Sequence, residues 1–227
     1  MSKELLEKVT QGRQYRNMTE FRALEEATEG GNTYKVRGYA TTYNEPYTLY
    51  SDEDIEIREQ VAPNAFEEAD LSDVIMQYNH EGRVFARTRN NTLSLESDEH
   101  GLLINADLGG TEIGRQLYEE INGGYTDRMS FGFTVDGEEI EHTREKGQRT
   151  IYLRTITRIG KLYDVSAVSI PANDGTEISA RSFVDGLIAK EKAERLVEAE
   201  QERERERRDK ALAELDKLLK RFKEAKS

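Results

Sequence analysis

RMSFGFTV, residues 128–135, is the stretch that decides the fold. Met129, Phe131, Phe133 and Val135 alternate with Ser130, Gly132 and Thr134, the two-residue period of a β-strand with one apolar face. Residues 149–159 follow across the charged turn REKGQ and read as its antiparallel partner. Residues 162–170, LYDVSAVSI, form a last strand that stops at Pro171, which has no N–H to give a ladder.

The same alternation extends upstream. Residues 19–25 and 33–43 flank EGGN, a hairpin turn, and residues 92–97 and 102–108 flank DEHG, another. Residues 73–80, DVIMQYNH, read as a strand with Val74, Met76, Tyr78 and His80 on one face. Two short helices interrupt the strands. Pro63 suits the first position of a turn or two through Asn64–Ala69. Thr111 caps a helix whose Ile113, Leu117 and Ile121 share a stripe, closed by Asn122-Gly123-Gly124. The expectation is a β-rich α+β domain, mostly antiparallel, closed or nearly closed into a barrel with short flanking helices.

The C-terminal part differs in kind. Residues 184–227 carry 13 basic and 12 acidic residues, leaving a net −13 of the chain's −12 on residues 1–183. Residues 187–222 contain neither Pro nor Gly, and Leu187, Ile188, Leu196 and Val197 begin an apolar stripe. Leu212, Leu215, Leu218, Leu219 and Phe222 resume it beyond EQERERERRDK, which has no apolar residue. A charged helical tail fits, either a solvated helix or linker held by Glu–Arg pairs, or a coiled-coil or partner-binding segment. The chain therefore divides into an N-terminal extension (1–17), a β-rich domain (18–183) and the tail (184–227).

Composition removes several functions. With no cysteine, a thiol nucleophile, disulfide staples and thiolate metal sites are excluded. No apolar run approaches the length of a membrane span, and the first sixteen residues lack the apolar region of a secretory signal. A net charge of −12 disfavours general nucleic-acid binding, which needs clustered Lys and Arg.

Three histidines make the search for chemistry short. His100 and His142 sit in polar and charged turns, whereas His80 ends an apolar strand. Its sequence HEGRV places Val84 where a zinc-binding HExxH helix needs a second histidine, so zinc is not expected, and no cofactor is. Periodicity alone favours a buried structural histidine at His80 and a small polar residue on a solvated face at Ser130. Asp164 shares a strand face with Ser166, Val168 and Ile170 and needs a partner there, with a histidine, Arg158 or Lys161 as candidates.

Four segments in order shift this balance. VRGYATTYNE with EQVAPNAF, then QYNHEGRVFART, RMSFGFTV and LYDVSAVSIPAN, resemble the prohead protease family of tailed bacteriophages. The resemblance spans residues 33–182 and implies an assemblin-like serine endopeptidase, similar to the herpesvirus maturation protease. It puts the nucleophile at Ser130, the general base at His80 and a third, acidic member at Asp164, where the family more often has the longer Glu. It also implies that the substrates are the major capsid protein's extension or a scaffolding protein, and the protease itself, inside the assembling procapsid in the host cytoplasm. A homo-oligomer is compatible with it. A catalytically silent assembly scaffold or chaperone on the same fold is the alternative from another class, and a generic β-barrel binding module would need the motif order to be accidental.

Overall fold

The computed structural model describes residues 14–18, 21–23, 27–28, 31–32, 34–144, 149–168 and 178–224. The chain divides into two compact units, Met1–Val184 and Asp185–Ser227.

In the first unit the sheet is organised by two long strands, β12 (Arg128–Thr143) and β13 (Thr150–Val168), paired antiparallel along their length. On its other edge β13 pairs in parallel with two strands in succession. Thr150–Ile156 lie beside β7 (Ile55–Val61), and Asp164–Ala167 lie beside β8 (Ile75–Tyr78). β6 (Tyr47–Ser51) adds to β7, β9 (Glu81–Arg87) adds to β8, and β1 (Gln14–Met18) closes the far side of β12. A second sheet runs in the order β10 (Leu93–Ser97), β11 (Gly101–Asp107), β5 (Lys35–Thr42), β2 (Phe21–Ala23). One apolar cluster draws on both sheets, including Val36, Leu102 and Ile104 from one and Met129, Phe131, Leu162 and Val165 from the other.

Several expectations are corrected here. The barrel does not close: the two sheets are open, and the Tyr43–Val61 contact between them is an isolated bridge. β13 forks to serve two partners along one edge, and among the described residues the outer strands β1, β6 and β9 do not pair with one another. The strands expected at 149–159 and 162–170 are one continuous element. Register shifts at Gly132/Phe133, Thr134/Val135, Val135/Gly137 and Gly137/Glu138 carry it through as a series of bulges. Each bulge reverses which face the following residues take, which is why strict alternation fails there. Gly160 sits among them because a Cβ at that point would meet the Asp136 carboxyl at 2.5 Å. The described part of β13 ends at Val168, so the expected stop at Pro171 lies outside the described residues.

The helix expected over Asn64–Ala69 is instead a run of turns, with Ala65, Glu67 and Ala69 N–H groups donating to carbonyls three residues back. Gln14–Met18, expected to lie largely in an extension, is a strand of the main sheet, so the 17/18 boundary falls inside an element. The Thr111-capped helix forms as α1 (Glu112–Asn122): the Thr111 hydroxyl accepts from Gly114 N–H, and Leu117, Tyr118 and Ile121 are buried. The second helix, α2, spans Ile178–Glu224. No helix among the described residues is long and apolar enough to cross a membrane.

Away from the apolar cluster, β1, β7, β12 and β13 share a buried ionic group that alternation alone does not reveal. Glu59 is fully buried and accepts from Arg16 Nη2 at 2.8 Å and Arg154 Nη1 at 2.6 Å, and from the Tyr47 hydroxyl. Gln14 Oε1 accepts from both guanidinium groups, Glu138 accepts from Arg154, and Arg154 lies 4.5 Å from the Phe183 ring centre. Burial alone would raise the Glu59 pKa, but the two arginines reverse this and hold it at about 2. The same burial, with the Glu59 charge, pushes the Tyr47 hydroxyl well above its ordinary value.

Replacing Glu59 by Gln would strand two buried cations, and the expected loss is about 3–5 kcal/mol of unfolding free energy in urea titrations. The wild-type protein carries a matching acid signature. A carboxylate held below its unfolded value of 4.5 contributes fully above that pH and loses its contribution as pH falls toward about 2. Urea midpoints measured from pH 6 to pH 2 should drop in that window, and a Glu59→Gln chain should drop less steeply there.

Candidate active site

Three neighbouring strands bring the polar groups together. Ser130 lies near the start of β12, directly across from Ser166 of β13 and, on the other side, Asn17 of β1. Asp164, two residues before Ser166 on β13, pairs with Gly132 and with Ile75 of β8. Two positions along a strand share a face, so Asp164 stands diagonally from Ser130 across the ladder. Its neighbours on that part of β13, through Val168, are all buried.

His80 reaches this pair from a tight turn and not from a strand face. β8 ends at Tyr78, and β9 begins at Glu81, with Tyr78 and Glu81 paired. Asn79 and His80 form the two-residue link, with φ of 49° and 60°. A two-residue hairpin with both central residues left-handed is a type I′ turn, in which Asn at the first position and Gly at the second are the comfortable choices. A histidine held left-handed costs about 1–2 kcal/mol. The Asn79 N–H donates to Ala167 O at 2.9 Å, tying the turn to the end of β13.

The resulting geometry is a linear relay. His80 Nδ1 is 2.6 Å from Asp164 Oδ1, and His80 Nε2 is 2.6 Å from Ser130 Oγ. A carboxylate only accepts, so Nδ1–H donates to Asp164, which leaves the Nε2 lone pair to accept from the Ser130 hydroxyl. Asp164 Oδ1 also accepts from the Ser166 hydroxyl at 2.7 Å. Asp164 and Ser166 are fully buried, Ser130 is 1% exposed, and the His80 side chain is 16% exposed. Beside the hairpin runs a groove of about 490 Å³, lined by Tyr78, Phe85, Ile113 and Leu117 and by the charged Glu81, Arg83 and Glu120.

The structure thus brings together all three residues singled out in the sequence. Of the partners open to Asp164, it selects histidine. Lys161 instead meets Asp70 at 2.7 Å, and Arg158 donates to Asp136 O. Asp164 spans the distance despite being one methylene shorter than Glu, because the β8–β13 ladder brings the turn close to it. The other two histidines lie elsewhere, His100 edge-on to Tyr39 and His142 stacked on Tyr152. Among the described residues no group of three or more metal-ligating side chains occurs. Ser166 was placed on the Asp164 face by alternation, but alternation carries no signal that its hydroxyl completes the relay.

A hydroxyl, imidazole and carboxylate in this order can move a proton off the serine as it attacks a carbonyl, and stabilise the imidazolium that forms. Among solved structures, the capsid assembly protease of bacteriophage T4 aligns with 70% of this chain and 99% of its own, at 12% identity and a TM-score of 0.38. No curated protein gives a significant sequence match. The profile of the family described as Caudovirus prohead serine protease matches residues 19–187, a span that includes His80, Ser130 and Asp164. With well over half of its length matched, the chain belongs to the Caudovirus prohead serine protease family.

Proposed function

We propose that this protein is an active serine endopeptidase of prohead maturation, with Ser130 as nucleophile, His80 as general base and acid, and Asp164 as the group that orients His80. The observation that carries this reading is the unbroken relay at 2.6 Å on both sides of the His80 ring, in a chain of this family. In the acylation step, Ser130 Oγ bonds to the substrate carbonyl carbon while its proton passes to His80 Nε2. The same proton then goes to the leaving amine as the peptide C–N bond breaks. A water molecule, deprotonated by the same nitrogen, hydrolyses the acyl-enzyme. Asp164 keeps the proton of the resting ring on Nδ1, so that Nε2 faces the hydroxyl with a free lone pair. The groove beside the hairpin, lined by apolar and charged side chains alike, supplies room for a substrate side chain.

The substrates that fit the family are the major capsid protein's extension, a scaffolding protein and the protease itself, cleaved inside the procapsid. The tail would carry the enzyme there. Leu196, Val197, Leu212, Leu215 and Leu218 on α2 are each more than half exposed, a spaced apolar row suited to a helical assembly partner. A silent scaffold on the same fold would have no use for an intact relay.

Two experiments test these statements. Co-expression of capsid protein with the wild-type chain should give a shortened capsid band that Ser130→Ala abolishes, a loss on the order of a millionfold. Asp164→Asn should cost roughly 10⁴-fold, since the wrong tautomer would face the hydroxyl. An unchanged band with Ser130→Ala would rule out Ser130 as nucleophile. Separately, a chain ending at Arg195, which lacks the whole exposed row, should retain peptidase activity but be missing from purified proheads; its normal incorporation would remove the docking role of the tail.

A further inference from the structure

We propose that Ser166 is a positioning residue of this site, a fourth member of the relay that acts on His80 through Asp164. The proposal rests on the catalytic reading above and extends it to a residue outside the serine–histidine–acid set. Ser166 Oγ lies 2.7 Å from Asp164 Oδ1, the same oxygen that receives His80 Nδ1–H. It is fully buried, and its strand position directly opposite Ser130 puts it at the centre of the site. Because residues 164 and 166 are two apart on one strand, their side chains rise from the same face, and the hydroxyl meets the carboxylate without distorting the backbone.

Two physical consequences follow. The hydroxyl pins the torsion of the carboxylate, which otherwise rotates about a soft two-fold barrier, so that Oδ1 stays aimed at Nδ1. It also shares the negative charge on Oδ1, which tempers the pull of the carboxylate on the protonated ring. Removing it leaves Oδ1 a stronger acceptor, so the ring holds its proton to higher pH while the carboxylate is less firmly aimed. Among the described residues, the titratable groups on the packed elements around the site include Tyr78 on β8, Glu81, Arg83 and Arg87 on β9, Glu120 on α1, Arg16 on β1, Arg128 on β12, and Tyr163 and Lys161 on β13, the last paired with Asp70. All are unchanged by substitution at 166, so a displaced pH profile reports the carboxylate.

The test uses the full-length chain and a fluorophosphonate, which labels an activated serine without requiring the natural cleavage sequence. Labelling rates of wild type, Ser166→Ala and Ser166→Cys are measured from pH 5 to 9, with Ser130→Ala as control. Ser166→Ala should label roughly tenfold more slowly at its plateau, the scale of one lost hydrogen bond to a charged group. Its acid-limb midpoint should move to higher pH, with Ser166→Cys, a weaker donor of similar size, falling between. Labelling that requires Ser130 but keeps its rate and midpoint in Ser166→Ala overturns the role of Ser166 alone. A slower rate with an unmoved midpoint also overturns it, since that is what a packing defect gives. Absence of wild-type labelling, or labelling that survives Ser130→Ala, overturns the catalytic reading and this role with it.

Discussion

The forked edge of β13 is the constraint on which the rest of the structure depends. One edge of this 19-residue strand carries β12 throughout, and the other passes from β7 to β8 partway along. The first half builds the sheet around the buried Glu59 group, and the second half builds the site. Ser130 arrives by way of β12, Asp164 and Ser166 belong to β13 itself, and His80 arrives at the end of β8. Backbone hydrogen bonds on both sides thus fix three side chains from distant parts of the sequence. The edge of β13 that passes from β7 to β8 is also the edge that brings His80 to Asp164.

Local strain and global support are set against each other at the β8–β9 turn. The left-handed conformation at His80 is one that few residues other than glycine adopt. It persists because the ladder to β13, the Asn79 N–H bond to Ala167 and the contact with Asp164 all demand it. A glycine would relax the turn and remove the imidazole. That conflict between turn chemistry and side-chain chemistry is where a functional residue is expected to sit.

Much of this could be read from the sequence, though unevenly. The hairpins at 92–108 and 128–159 and the capped helix at Thr111 were legible because alternation, turn residues and a capping residue each act within a few positions. Ser130, His80 and Asp164 were legible through motif order, while local physics favoured unremarkable roles for the first two. The continuity of β13 was hidden because its bulges break the two-residue period at Gly160 and Tyr163. Glu59, Arg16 and Arg154 were invisible for a different reason. Charged residues on strands read as solvent-facing, and only the assembled sheet shows that they neutralise one another inside it. The turns at 63–68 resembled a helix start because proline suits both, and the sequence has too few residues there to tell them apart.

The bulges along β12 and β13 also limit how relatives of this protein can vary. Between Thr157 and Tyr163, β13 carries the unmatched residues Thr157, Gly160 and Tyr163, against Asp136 alone on β12. A single inserted or deleted codon in that stretch would turn Asp164 and Ser166 to the opposite face of the sheet, taking the acid away from the histidine while leaving every motif recognisable. The spacing along this strand therefore matters to the site as much as the identity of the residues it carries.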